Sequence, residues 1–313
     1  MAPPAAAAGN NASNPSLDGA VAFASGLAAG FTTTAMLHPL DLLKTRLQVD
    51  ESFRRWSWRD GPRALLATDA LTTRKVLEQL GFRGLYRGLV PAVVGSSASW
   101  ALYWAAYERL KQAASGEQKR RLGPGEYLAY SAAAGVLTTL CTNPLWLIKT
   151  RMELQSPGNE PYRGFLHAAQ TIRRREGWRG FYKGLLPALL LVSNGAIQFV
   201  IYEEVKHACE DRGLVLGPAE FMLLGALSKC VASVVTYPYQ VVKSRLQQHE
   251  SKYTSTWQTF SEIRRRQGWG ALYRGLLPNM LKVAPSSAIT FATYEQCKVL
   301  LHRAAARLSA RDD

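Results

Sequence analysis

The sequence predicts an all-α membrane protein of six transmembrane helices in three tandem repeats, with a short amphipathic helix between the two long helices of each repeat. Three observations lead there. One phrase is written three times, as HPLDLLKTRLQ from His38, NPLWLIKTRMEL from Asn143 and YPYQVVKSRLQ from Tyr237, at a period of about 100 residues. Stretches such as GAVAFASGLAAGFTTTAML and YLAYSAAAGVLTTLCTNPLWLI run for about 20 residues without charge, the length at which a helix crosses the hydrocarbon layer. After each phrase comes a basic, polar connector and then a second apolar run.

Residues 1–16 are rich in Ala, Pro and Asn and lack the apolar stretch of a signal peptide and the arginines of a transit peptide, so a disordered lead is expected there. The first repeat covers 17–114, the second 120–209 and the third 215–303. In each, an apolar helix runs into the proline phrase. The connector then ends in GFRGLYRGLVP from Gly81, GWRGFYKGLLP from Gly177 or GWGALYRGLLP from Gly268. The closing helix ends in YERLK from Tyr107, YEEVK from Tyr202 or YEQCK from Tyr294. Six spans return both termini to one side. The basic connectors, RRWSWR from Arg54, IRRRE from Ile172 and IRRRQ from Ile263, fall on the other, the side that retains Lys and Arg.

A formal net charge of +15 over 313 residues asks for an acidic partner, whether lipid head groups, nucleic acid or an anionic small molecule. A soluble helical-repeat scaffold that binds nucleic acid would explain the periodicity, but not three uncharged spans that each end in the same proline phrase. An enzyme is not expected: there is no Walker loop, dinucleotide-binding glycine fingerprint, nucleophile elbow or metal-ligand cluster, and the histidines are scattered. Cys141, Cys209, Cys230 and Cys297 have neither CxxC nor zinc spacing and are read as free thiols.

Pro39, Pro144 and Pro238 each remove a backbone donor and kink a helix, turning its end inward and bringing Lys44, Lys149 and Lys243 together. The phrase, Pro-x-acidic-x-x-basic-x-basic, followed by glycine, an aromatic, a base and glycine, resembles the signature of the mitochondrial carrier family over about residues 17–303. The resemblance implies a pseudo-threefold barrel in the mitochondrial inner membrane, both termini toward the intermembrane space, that moves a small molecule by alternating access and works as a monomer. It implies a matrix gate in which the acid of one odd helix pairs with the base of the next. Here only Asp41 with Lys149 is a complete pair; Trp146 faces Lys243, where a cation–π contact is available, and Gln240 offers Lys44 a neutral acceptor. Gln48 and Gln247 stand at the glutamine-brace position, where the second repeat has Glu153, either an acidic brace with a lysine or a solvent-facing residue.

At the other end the resemblance implies a second gate of Glu108, Glu203 and Glu295 with Lys111, Lys206 and Lys298, braced by Tyr107, Tyr202 and Tyr294. The turns at Arg87-Gly88, Lys183-Gly184 and Arg274-Gly275 start helices, where exposed amides favour anions, and by resemblance they bind cardiolipin phosphate. Gly26 and Gly30 suit close helix packing; the equivalent place in the third repeat is Lys229, read either as a substrate contact or as a snorkelling lysine. Family contacts on the even helices point to Ser96, Ser99, Trp100, Tyr103, Asn194, Gln198 and Lys282 for substrate. Aromatic stacking beside one base suits a planar ring with an acidic tail, and rotation is expected to turn at least one of Trp100, Tyr103 and Trp104 toward lipid. Trp146 with the YPYQ phrase is most similar to the FAD and folate carriers of the family, with NAD or pyrimidine-nucleotide carriage as the alternative; that cofactor is cargo, not a catalytic group.

Overall fold

The computed structural model describes residues 15–51, 61–115, 123–155, 162–214, 217–249 and 251–312. Most of the expected disordered lead and the basic run at 54–59 lie outside these residues. The chain folds into α1 (Pro15–Val49), α2 (Gly61–Gly84), α3 (Leu89–Ser115), α4 (Pro124–Glu153), α5 (Phe165–Gly180), α6 (Leu185–Leu190), α7 (Ser193–Glu210), α8 (Pro218–Gln247), α9 (Thr256–Gln267), a 3-10 turn (Trp269–Tyr273) and α10 (Leu276–Asp312). The order repeats three times as long helix, connector helix, long helix. The described residues separate into two compact units, one within residues 34–286 and one formed by 15–33 with 287–312.

Four segments among the described residues are long and apolar enough to cross a membrane: Leu89–Ala113, Gly125–Glu153, Leu185–Glu210 and Ala219–Gln247. Helices α1 and α10, of 35 and 37 residues, exceed the length a span needs. Large apolar side chains such as Phe31, Met36, Met222, Leu223 and Leu227 point outward, as lipid contact requires of such helices.

Each repeat has its own small core, made by the end of the odd helix against the connector. In the first these are Leu42, Leu43, Val76 and Leu85; in the second Leu147, Ile148, Ile172 and Phe181; in the third Val241, Val242, Ile263 and Leu272. The same register positions are buried each time, which is why the connectors tolerate long basic runs on their outer faces.

One local feature differs from the sequence expectation. The fourth long helix is broken into α6 and α7 at Leu191–Val192, although no proline is there. The Ser193 hydroxyl bonds the Leu190 carbonyl at 2.7 Å, and the amides of Val192 and Asn194 reach back to Leu189 and Leu191, so the turn tightens. Within their own unit, a Cβ at Gly26 or Gly30 would meet nothing within 4 Å among the described residues. At Gly135, the second repeat's equivalent of Gly30, the approach is close, and a Cβ would lie 2.9 Å from Val192.

Candidate functional site

The three proline phrases are held in place by a set of contacts that repeats with the sequence. The residue before each proline is fully buried and bonds a carbonyl in its own repeat's connector turn: His38 Nε2 lies 2.9 Å from the Arg87 carbonyl, Asn143 Nδ2 donates to Phe181, and the Tyr237 hydroxyl donates to Arg274 at 3.1 Å. Seven residues after each proline an arginine donates Nε to the backbone carbonyl of the next repeat's brace residue. Arg46 reaches Glu153 at 3.0 Å, Arg151 reaches Gln247 at 3.1 Å and Arg245 reaches Gln48 at 3.0 Å. One residue earlier, a hydroxyl donates to the side chain of the same brace residue: Thr45 to Glu153 at 2.8 Å, Thr150 to Gln247 at 3.1 Å and Ser244 to Gln48 at 2.6 Å. Contacts therefore run from the first repeat to the second, the second to the third and the third back to the first. Neither the arginines nor the hydroxyls were singled out from the sequence, although KTR, KTR and KSR stand in register there.

Inside this ring lie the lysines. Lys44 donates to Gln240 Oε1 at 2.7 Å and to Asn279 Oδ1 at 2.8 Å, so two neutral amides hold it where an acid is absent. Lys149 lies 3.3 Å from Glu153 and 3.8 Å from Asp41. Glu153 is 1% exposed, which settles its two readings in favour of the lysine brace. Trp146 receives two ammonium groups on its ring, Lys149 at 5.4 Å and Lys243 at 6.0 Å. The expected pair of Asp41 with Lys149 is present, and Lys282, expected at the cargo, also grips both Asp41 carboxylate oxygens at 2.7 and 2.8 Å and is the nearer partner. These side chains surround a small cleft of about 150 Å³ lined by Asp41, Lys44, Trp146, Lys149, Gln240 and Lys243, among others.

Against the cleft lies a much larger cavity of about 860 Å³, with Trp146, Leu191 and Lys243 lining both. Ser96, Ser99, Trp100 and Tyr103 come together on its wall, joined by Trp104 and Phe199. Trp146 is fixed at the boundary by donating Nε1 to Ser99 at 3.2 Å, and the Tyr103 and Ser131 hydroxyls meet at 2.7 Å. Trp100, Tyr103 and Trp104 all border the cavity, and Trp100 and Trp104 keep more than half of their surface exposed, in keeping with the expectation that at least one of them meets lipid.

The other sequence candidates are placed elsewhere. Lys282 and Gln198 do not line this cavity; Lys243 is its base. Asn194 is engaged by α8, donating to Thr236 at 2.8 Å and accepting from Lys229 at 3.1 Å, so Lys229 is satisfied inside the protein rather than snorkelling. A second cavity of about 590 Å³ continues along α3 past Tyr107 to Glu108 and Lys111. There Lys111 lies 3.6 Å from Glu108, and on α7 Lys206 lies 3.9 Å from Glu203, each pair along its own helix.

The helix-start turns are unequal. Gly88, Gly184 and Gly275 have φ of 84°, 74° and 77°, a region glycine enters freely, and a Cβ at each would press to 3.0–3.3 Å on the carbonyl of Lys149, Lys243 or Lys44 respectively. Lys183 is part-exposed and pairs with Glu176 at 2.7 Å, while Glu176 also accepts from Arg151. Burial would raise the Glu176 pKa, but the hydrogen bonds from Arg151 and Lys183 prevail and pull it down to about 2. The expectation that Arg274 meets lipid phosphate fails: its guanidinium is fully buried against Asp50 and Asp69.

Comparison with known sequences matches the family model "Mitochondrial carrier protein" to residues 16–118, 120–213 and 215–305. The chain is 42% identical to "Folate transporter 1, chloroplastic" of Arabidopsis thaliana, over 88% of this chain and 94% of that protein. It is 35% identical to "Nicotinamide adenine dinucleotide transporter 2, mitochondrial" of the same plant, over 86% and 76%. With the mitochondrial FAD carrier protein of Saccharomyces cerevisiae it shares 33% identity, over 88% and 94%.

Proposed function

Because the chain belongs to the mitochondrial carrier family, as its three matched repeats establish, we propose that it carries an anionic planar-ring cofactor, a folate or flavin adenine dinucleotide, across the mitochondrial inner membrane by alternating access. The observation that supports this most is the shared boundary of cavity and cleft, where Trp146 and Lys243 offer a ring face and a cation to the same guest. A cavity of about 860 Å³ lies in the range of small-molecule sites and has room for a drug-sized ligand. Among the described residues, the acids beside Lys44, Lys149, Lys243 and Lys282 are Asp41 and Glu153, so four positive charges against two negative leave a surplus of two. That surplus attracts an acidic group arriving from the cavity.

Closure and cargo then compete for the same lysines. Asp41 neutralises Lys282 while the cluster is closed. A carboxylate or phosphate of the cargo, held first by Lys243, draws lysines from Asp41 and weakens the contacts that keep the cluster shut, and differential affinity of this kind drives the change of state. The pairs along α3 and α7 fit a second gate that, among the described residues, is not joined between those helices. The basic connectors support termini on the intermembrane-space side, and Arg87 and Lys183 support lipid phosphate, cardiolipin's among them, at their turns. The folate and FAD relatives support the choice of cargo, and the NAD transporter at 35% identity keeps NAD in the comparison.

The test is uptake into vesicles holding the purified protein, with folate, FAD, NAD and a pyrimidine nucleotide offered side by side. Saturable uptake of folate or FAD well above the other two is expected. Preference for NAD or for the pyrimidine nucleotide would reverse the assignment.

A further inference from the structure

We propose that Asp69, in the connector of the first repeat, is a positioning residue for the lysine cluster: it fixes the start of α10, the helix that delivers Asn279 to Lys44 and Lys282 to Asp41. The Gly275 amide, just ahead of α10, donates to Asp69 Oδ2 at 3.1 Å, and Arg274 Nε donates to Asp69 Oδ1 at 3.2 Å. Amides at a helix start lack partners within the helix, and a carboxylate there satisfies one of them and opposes the positive end of the helix dipole. The same turn is held further by Arg274 Nη1, which donates to the Asp50 carboxylate at 2.9 Å, and by the Tyr237 hydroxyl, which donates to the Arg274 carbonyl at 3.1 Å. Arg274 is 0% and Asp69 4% exposed, so solvent screens the pair little.

From that turn the helix runs into the cluster. The Asn279 amide closes the first turn of α10 on the Gly275 carbonyl, and its side chain accepts from Lys44 at 2.8 Å. Lys282 stands seven residues beyond Gly275, about 10 Å along the axis, and grips Asp41 at 2.7 and 2.8 Å. A helix passes a displacement of its first turn on to both side chains, and about 1 Å is enough to break bonds of this length. A Cβ at Gly275 would lie 3.0 Å from the Lys44 carbonyl, so the turn seats on the backbone of the very lysine that Asn279 holds. The repeat register shows why the task falls to Asp69. In the second and third repeats the residue before the connector glycine, Glu176 or Gln267, accepts from an arginine of its own proline phrase, Arg151 or Arg245. Leu80 takes that place in the first repeat and has no acceptor to offer. The first connector instead carries a carboxylate at Asp69, where the others have Phe165 and Thr256, and it reaches across to the third repeat. This inference rests on the reading of the cluster as the gate that cargo opens.

Hydrogen exchange on the full chain in detergent micelles, wild type against Asp69→Asn, which keeps the volume and removes the charge, reads the positioning without any cargo. The amides of 279–284 should exchange about tenfold faster in the variant, the worth of one charge-assisted hydrogen bond, while those of 92–97, at the matching place on α3, keep the wild-type rate. Unchanged rates at 279–284 would overturn the proposal. So would equal acceleration at both places, which marks a general loosening. Uptake into vesicles at equal folded protein, with folate and FAD as probes, is the second readout. Asp69→Asn should lower uptake several-fold in the wild-type background and have little further effect on Lys282→Ala, where the side chain it positions is gone. Equal fold-losses in both backgrounds would place its action elsewhere. Should wild type carry neither compound, the cargo reading fails alone, and the exchange rates still decide what holds α10.

Discussion

At Asp41 one carboxylate serves two lysines, and the nearer of them, Lys282, is the residue that family resemblance assigned to cargo. Lys282→Ala should therefore leave Asp41 to Lys149 and reduce uptake at least tenfold while the protein stays folded; unchanged uptake in vesicles would remove Lys282 from the transport path. Lys44 is the opposite case, a cation with two amide acceptors. Gln240→Glu turns one of them into a charge-assisted partner worth about 1–2 kcal/mol more, so the melting temperature should rise and turnover fall. A faster carrier would contradict that. Glu176 gives the pH dependence. Its folded pKa of about 2 lies below its ordinary 4.5, so its contribution to stability is complete above 4.5 and is lost as the pH falls toward 2. Melts of Glu176→Gln across that window should show a shallower acid loss than wild type, and parallel curves would disprove the pairing.

Between elements, the recurring unit is a hydroxyl and an arginine from one proline phrase closing on the brace residue of the next. Thr150→Ala and Ser244→Ala each remove a hydrogen bond to a neutral glutamine and should cost about 1 kcal/mol. Thr45→Ala removes one to the carboxylate of Glu153 and should cost about 2 kcal/mol, measured by thermal or denaturant unfolding. Equal losses at all three would deny Glu153 its charge-assisted bond. Much of this level was legible in the sequence, because the phrase itself is repeated: the long helices with an internal proline, the gathered lysines and the substitutions at Trp146 and Gln240 could all be read from it. The tethers were not, since His38, Asn143 and Tyr237 perform one task with three different side chains. Nor was the burial of Arg274, whose partner Asp69 is 205 residues away and belongs to a connector with no motif at that place.

For the whole molecule, family membership fixes a three-repeat transporter, and a soluble nucleic-acid scaffold is thereby set aside. What the chain adds is a lysine-rich cleft with an aromatic boundary, Trp146 and Gln240 standing where the family phrase has an acid. If that boundary receives the cargo, Lys243 is the first charge the acidic group meets. The most direct measurement is uptake of radiolabelled folate and FAD by sealed vesicles containing either wild type or Lys243→Ala at equal folded protein. The account predicts saturable entry of one or both with wild type and its loss in the variant; entry that is indifferent to Lys243, or no entry of either compound with wild type, would contradict it.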